Sequence, residues 1–389
     1  MRIEKWTLGL AALGLVTLAP ALLAQNAAPQ LVPLQTALSA TTISGYVDTS
    51  AVWNPGTGNA NPAPYAFNHG KQDGFNLDAA DVKIAKPLEE GQWTAGYTLE
   101  LSYGPDAKDI DSGAYPIRQA FVTMRVPVGN GLDFQLGRWD NLLGYEGSDS
   151  YKNPNYTRSY GYTIEPTEHT GLLASYKVCD AVNLQAGVAD TLTTGGVNDR
   201  GTIIESKKAV VTLVTLTAPD SWGFLKGSAL YGGFDHGSGA STHDQTEWYA
   251  GATINTPVKD LSVGGALDID QHLDLGGVDQ GYIYTLAGYL SFKVTDKLTL
   301  NGRAEWADGD ALGTLSTGLD PVGDAKLHKV LAFTGTVQYD LWANVISRLE
   351  VRWDHAANGG EAFGGDSATG FAPDKKNEVM VAANVIYKF

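Results

Sequence analysis

Near the end of the chain four ionisable side chains recur at every second position: Arg348, Glu350, Arg352 and Asp354. Arg303 and Glu305 repeat the spacing earlier in the sequence. On a β-strand a two-residue spacing puts side chains on one face, so these residues form rows of alternating charge. Facing rows can set up a transverse field that orients ions and polar solutes in a narrow aqueous passage. They can equally brace a wall by salt bridging. The residues leave both uses open.

Other chemistry has little to build on. The 7 His residues (His69, His169, His236, His243, His272, His328 and His355) show no His-x-x-x-His spacing, and the lone Cys179 excludes a Cys-x-x-Cys pair. Zinc therefore has no local nucleus. Asp109 to Gly113 resembles the opening of a calcium loop, but its Gly comes too early and no Glu occupies the twelfth position. Its acids read as solvated loop carboxylates. Neither a G-x-S-x-G elbow nor a phosphate-binding loop is present. A Ser-His-acid triad assembled between strands would leave little local trace, yet no His here has a Ser and an acid that can be nominated beside it. The reading is of a protein that is not an enzyme and has no cofactor and no metal.

The longest connection, Asn141 to Glu168, is about 28 residues and carries Tyr145, Tyr151, Tyr156, Tyr160 and Tyr162, with Glu146, Asp149, Lys152, Arg158 and Glu165 between them. Loops of that length are usually functional or disordered, and buried tyrosines need an apolar contact and a hydroxyl partner. The preferred expectation is a loop folded into the lumen of a channel as its constriction, with Glu146, Asp149, Tyr151, Tyr156, Arg158 and Tyr160 at the narrowing. A loop capping the outer mouth is the alternative.

The elements that must position these residues are strands. Ile43, Gly45, Val47, Ala51 and Trp53 alternate with Ser44, Tyr46, Asp48 and Ser50, and Leu298, Leu300, Ala304 and Trp306 alternate with Thr299, Asn301, Arg303 and Glu305. The period is two. About sixteen such segments, each of roughly ten residues, run from residue 42 to the C terminus, a number and length suited to tilted bilayer crossings. Short turns alternate with long Gly/Asp/Asn/Pro-rich loops along the chain, which is the asymmetry of the two rims of an outer-membrane barrel. The expected fold is an all-β, transmembrane, antiparallel up-and-down barrel with short periplasmic turns and long extracellular loops, spanning 42–389 as one domain. Phe75, Leu77 and Ala79 share a parity that Val82 and Ile84 do not, which places a bulge near Ala79 or Ala80. Residues 207–218 are ambiguous, with apolar side chains on both parities.

Composition agrees. The 389 residues include 46 Gly and only 18% charged residues, and the formal net charge is −16. An acidic chain with no Lys/Arg cluster cannot neutralise many phosphates, so nucleic acid is excluded as a partner. Met1 to Ala24 has a short charged start, an apolar core too short to span a bilayer and small residues at its end, the pattern of a secretory signal peptide. Residues 25–41 read as a periplasmic lead-in. No later run of 18 apolar residues exists, which leaves a closed barrel as the membrane structure that satisfies every backbone polar group.

In such a barrel the apolar parity faces lipid, where a Lys or Arg near the midplane costs about 2–4 kcal/mol. The polar parity then lines the pore with Glu100, Arg125, Glu247, Asp268, Asp270, Arg303, Glu305, Arg348, Glu350, Arg352 and Asp354, and also with Lys226, Lys293 and Lys388. Arg138 falls on the lipid parity and requires either a bulge or a position above the membrane. Trp53, Trp93, Tyr103, Trp222, Trp248, Trp306, Tyr339, Trp353 and Tyr387 lie near expected strand ends, as interfacial girdles require. The last strand ends on Phe389, an aromatic terminus resembling the insertion signal of bacterial outer-membrane proteins.

Several runs also resemble the OmpL-like β-barrel porin family, called β-barrel porin type two. They are Gly45-Tyr46-Val47-Asp48, Phe75-Asn76-Leu77, Gln119-Ala120-Phe121-Val122, Leu136-Gly137-Arg138-Trp139 followed by Gly144-Tyr145-Glu146, Asn153-Pro154-Asn155-Tyr156-Thr157-Arg158-Ser159-Tyr160, and His169-Thr170-Gly171. The second half is similar in architecture only. The resemblance implies an outer-membrane channel for small solutes and supplies no substrate, cofactor or catalytic residue. The expected function is passive diffusion of small hydrophilic solutes and ions through a water-filled channel of a Gram-negative-type outer membrane. A substrate-selective, sugar-type channel and a plugged structural or adhesion barrel are the alternatives. The expected partners are outer-membrane lipid and the solutes, with the chain monomeric or homotrimeric. The excess acid predicts a modest preference for cations at low salt.

Overall fold

The structure, a computed structural model, describes residues 40–389 other than 69, 90, 92, 112–115, 193–197, 199–206, 239–243, 273, 276–277, 280, 310–311 and 313–326. The expected signal peptide, 1–24, and most of the lead-in lie outside the described residues, as do His69 and His243.

Sixteen antiparallel strands close into one barrel, each bonded to its neighbours in sequence. They are β1 (Thr42–Trp53), β2 (Gly74–Lys86), β3 (Thr94–Tyr103), β4 (Ile117–Val126), β5 (Leu132–Asp140), β6 (Glu168–Cys179), β7 (Val182–Ala189) and β8 (Ala209–Thr217). The second half comprises β9 (Ala229–Ser238), β10 (Asp244–Asn255), β11 (Leu261–Gln271), β12 (Tyr282–Lys293), β13 (Leu298–Gly309), β14 (Lys329–Trp342), β15 (Val345–Ala356) and β16 (Asn377–Lys388). β1 pairs with β16 from Tyr46↔Lys388 to Trp53↔Val381, and Gly45 and Phe389 exchange both backbone hydrogen bonds at 3.0 Å, so the terminal aromatic seals the seam. Closure removes the free edges that lipid cannot satisfy.

The parity assignment holds along the wall. Val351 is 49% exposed whereas the adjacent Arg352 is 0% exposed, and Leu349, Leu300, Leu286, Leu290, Val337 and Phe333 continue an outer apolar surface. An apolar belt of that extent belongs against acyl chains, not water. Trp53, Phe75, Tyr103, Trp248 and Tyr282 are exposed at the long-loop rim, and Trp93, Tyr339, Trp342 and Tyr387 at the short-turn rim.

The irregularities are informative. The β1–β2 register shifts between Asp48 and Thr49, which pair with Ala79 and Leu77, so the bulged residue is Asp78, earlier than the sequence parity suggested. Asp78 and Ala79 are consecutive and both buried. β9 begins at Ala229, not Trp222: a 3-10 helix over Asp220–Leu225 and positive φ at Gly223 and Gly227 lengthen the turn. Lys226 is therefore not lumenal; it is 61% exposed on the turn and pairs with Asp220 at 3.0 Å. Lys293 likewise pairs with Asp296 near the short-turn rim. β8 is apolar on both faces because Val211 packs inward with Trp139, Leu173 and Leu142, while Val210, Val214 and Leu216 face out.

A helix α1 (Pro105–Asp111) carries the start of the stretch that resembled a calcium loop, and its remaining residues lie outside the described ones. Asp106, on α1, pairs with the Lys71 ammonium at 3.0 Å.

Candidate pore constriction

The connection between β5 and β6 turns inward and lies against the lumenal wall. A 3-10 turn over Ser150–Lys152 and a helix α2 (Tyr160–Ile164) order it. Ser159 caps α2, its hydroxyl oxygen accepting from the Tyr162 N–H at 3.1 Å, as its residue type favours. Arg158 folds back on this segment, donating to the carbonyls of Gly147 (3.1 Å), Ser148 (2.9 Å) and Tyr156 (3.2 Å). Its guanidinium lies 5.1 Å from the Phe67 ring and 5.5 Å from the Tyr162 ring.

The charged rows on β13 and β15 are what this loop docks on. Glu350 accepts from the N–H groups of Tyr156 (2.6 Å) and Thr157 (2.9 Å) and from the hydroxyls of Thr157 (2.6 Å) and Thr336 (2.6 Å). Glu305 accepts from the Tyr160 N–H at 2.7 Å and from Arg303 Nε at 2.7 Å. Arg303 also donates to Glu146 (2.7 Å) and to the carbonyls of Thr157 (2.7 Å) and Arg158 (3.0 Å). Arg352 donates to the Arg158 carbonyl at 2.7 Å and to both Asp354 oxygens, and the Tyr160 hydroxyl closes on Asp354 at 2.8 Å. Arg348 reaches the carbonyls of Ser150 (3.0 Å) and Asn153 (2.7 Å). A loop buried away from water must have its peptide groups paired, and wall side chains supply those partners here.

A second contact lies across the lumen on β3–β5. Arg118 joins Glu100 (2.5 Å), Asp149 (2.5 Å) and Asp140 (2.7 Å). Burial opposes a charge on Asp149, but Arg118 and Lys152 outweigh it and hold the carboxyl down at about 2. The preceding loop, 54–73, also enters: the Ala63 N–H donates to Glu378 at 2.5 Å, and the Arg352 guanidinium lies 3.8 Å from the Tyr65 ring centroid. Tyr65, Tyr160, Ile164, Leu312 and Phe363 form an apolar cluster against wall residues Ile283, Val330 and Ala332.

The remaining space includes a cavity of about 520 Å³ lined by Tyr145, Tyr151, Tyr231 and Tyr249 with Lys152, Asn153, Thr253, Ser291, Asn301 and Gln338. It lies toward the short-turn end, where β10, β12 and β14 finish. Among the described residues Lys152 is its one charged lining residue, and its side chain is 59% exposed. Tyr145 stacks on Tyr289 with centroids 3.9 Å apart and interplanar angle 14°. A side chain at Gly264 would run into the Tyr145 hydroxyl, so this approach of loop to wall requires the missing Cβ.

The family model described as "Putative beta-barrel porin-2, OmpL-like" matches residues 40–389. The chain belongs to this family. Porins also appear among solved structures with this fold. Pseudomonas putida OprB aligns with TM-score 0.60 at 10% identity, covering 92% of this chain and 96% of its own. Salmonella typhi OmpF, in complex with daunomycin, aligns with TM-score 0.58 at 11% identity, covering 90% and 97%. An anion-selective porin from Comamonas acidovorans aligns with TM-score 0.55 at 14% identity, covering 90% and 99%. At such identities the likeness is one of fold. The chain matches none of the curated proteins compared with it. Family and fold make this an outer-membrane channel protein.

For this porin-family chain, Glu100, Glu247, Asp268, Asp270, Arg303, Glu305, Arg348, Glu350, Arg352 and Asp354 point into the barrel on the parity expected, but none is more than 4% exposed. Loop and wall partners occupy those side chains that dock the loop, in place of pore water. Arg125 lies nearer the short-turn rim and pairs with Asp133 at 2.6 Å. In the loop Arg158 is 1% exposed and Tyr160 0%, so both serve its packing; Glu146, Asp149 and Tyr156 are also buried, and Tyr151 borders the cavity.

Arg118 escaped the sequence reading. It shares parity with Val122 and Met124, which face outward, but a register shift between Glu100 and Leu101 leaves Arg118 and Gln119 both buried. Arg138 is also buried out of alternation, beside the buried Trp139 and after Gly137, whose φ is +136°, and its Nε donates to the Arg118 carbonyl at 3.0 Å. The pairing of β5 with β4 and β6 runs through Gly137, Arg138 and Trp139 without a register shift, so neither the bulge nor the position above the membrane expected from the sequence accounts for it; the left-handed backbone at Gly137 turns Arg138 inward instead. A guanidinium on an apolar parity was the available signal for both.

Proposed function

We propose that the protein admits small hydrophilic solutes and ions by passive diffusion, with loop 141–167 as the constriction. The observation that carries this reading is the tethering of that loop inside the barrel by Arg303, Arg348, Arg352, Glu305 and Glu350. A loop held on two sides of the lumen narrows a barrel whose strand number would otherwise leave a wide channel. Solutes cross down their gradient and no bond is made or broken. Export through the signal peptide at 1–24 and assembly as a monomer or homotrimer complete the proposal.

The selectivity is weak. The inward carboxylates that would favour cations are buried, and Lys152 stands in the cavity. The outer-loop acids and Lys152 therefore act in opposite senses.

The cavity supports a second reading, a channel with a sugar-type binding step. Four tyrosines offer apolar faces and hydroxyls beside Asn153, Asn301 and Gln338, the mixture that a polyhydroxylated solute needs. Liposome swelling with sugars of graded size separates the two. A smooth fall in rate with size indicates a sieve, and saturation by one sugar indicates the binding channel. A purified, folded protein that gives no conductance steps in planar bilayers would refute both and leave the plugged structural barrel.

A further inference from the structure

The returning arm of the loop brings Glu165 against Glu247 on β10 and Asp268 on β11. A carboxylate oxygen from each lies within 4.8 Å of the others, and all three residues are buried. Neither oxygen of Glu247 has a hydrogen-bond partner, although the residue is 0% exposed, and Asp268 Oδ1 is also unpartnered. The four strongest electrostatic neighbours of Glu247 are Glu165, Asp235, Asp270 and Asp268, all carboxylates. The nearby base His169 lies 3.4 Å from Asp235. Gly161 leaves room for the Asp268 carboxylate, which any side chain at that position would meet.

Glu165 and Asp268 share a hydrogen bond that takes one proton, but Glu247, with no partner for either oxygen, still needs a proton or a cation to compensate it, and the donors are all oxygens. Hard divalent cations take such ligands. Magnesium, with ligands at about 2.1 Å, demands a near-ideal octahedron and gives up its waters reluctantly, whereas calcium accepts irregular oxygen sets at about 2.3–2.6 Å. Three carboxylates brought together from a loop and two strands, their oxygens within 4.8 Å of one another, make an irregular set of the kind the larger ion accepts.

We infer that Glu165, Glu247 and Asp268 bind one calcium-type divalent cation that fastens the returning arm of the loop to β10 and β11. The arginines of β13 and β15 hold the other arm, so the cation completes a two-sided attachment. Cation binding is measured without any solute flux, so its failure leaves the diffusion reading standing, and failure of that reading leaves the site standing.

The test uses the full barrel purified in detergent, treated with EDTA and dialysed against chelator-free buffer. Equilibrium dialysis with radioactive calcium should find one ion per chain at millimolar or lower concentration, and magnesium should compete at least tenfold more weakly. Terbium should give luminescence sensitised by Tyr249, which lies beside Glu165 and Asp268, and calcium should displace it. Calcium, but not sodium chloride at equal ionic strength, should raise the melting temperature of the EDTA-treated protein. E247Q should bind calcium at least tenfold more weakly and, relieved of repulsion, melt higher than wild type in EDTA. D268N provides a second test should E247Q fail to fold. Absence of stoichiometric calcium at 10 mM free ion (roughly ten times the weak limit of extracellular calcium modules), equal competition by magnesium, or wild-type calcium affinity in a folded E247Q or D268N would overturn the inference.

Discussion

Replacing Glu350 with Ala isolates the attachment of the loop from the integrity of the barrel. The carboxylate accepts four hydrogen bonds, from the Tyr156 and Thr157 amides and the Thr157 and Thr336 hydroxyls. The hydroxyls can rotate toward other acceptors, but the two amides are fixed by the chain and become buried and unpaired. At about 1–3 kcal/mol for each unsatisfied buried group, the docked state loses roughly 2–6 kcal/mol. Each 1.4 kcal/mol is about a factor of ten in population, so the released loop should be favoured at least tenfold more than in wild type. The β15 ladders to β14 and β16 use backbone groups and remain. Single-channel recording in planar bilayers should therefore show higher mean conductance with more current noise, and liposome swelling should admit larger sugars. A folded E350A with wild-type conductance and an unchanged size limit would refute the assignment of this loop as the constriction.

The clamp on Asp149 sets a pH expectation. Its folded value of about 2 lies below the unfolded value of about 3.9, so its stabilisation, on the order of 2–3 kcal/mol, is fully present above about pH 5 and is lost as pH falls through 2. D149N should already show raised conductance at pH 7, and equal conductance of D149N and wild type at that pH would contradict the clamp. Charge reversal at the cavity, Lys152→Glu, should move the zero-current potential toward cation preference at low salt and do so less at 1 M, where the Debye length is about 3 Å. A potential that does not move at low salt would show that permeating ions pass elsewhere.

Alternation in the sequence specified which side chains look into the barrel, because a two-residue period is a property of each strand taken alone. Leu349, Val351 and Trp353 against Arg348, Glu350, Arg352 and Asp354 needed no knowledge of a neighbour. Where a residue is inserted alternation did less well: it found the bulge of β2 but set it at Ala79 or Ala80 instead of Asp78, and it missed the one at Arg118, since a bulge depends on the partner strand as well as on its own. It also misplaced Lys226, because the positive-φ glycines Gly223 and Gly227 extend a turn through residues that alternate as a strand would.

What the inward charges do was decided by tertiary structure. Glu350 meets the Tyr156 amide across 194 positions of sequence, and Tyr160 meets Asp354 across the same interval. No local pattern encodes that the rows of alternating charge serve as acceptors and donors for another segment's backbone. The sequence alone established an outward apolar surface, an inward ionic one and a tyrosine-rich loop long enough to reach across. Closure of the barrel brought that loop to the charged wall, where its peptide groups, shielded from water, had to take those side chains as partners.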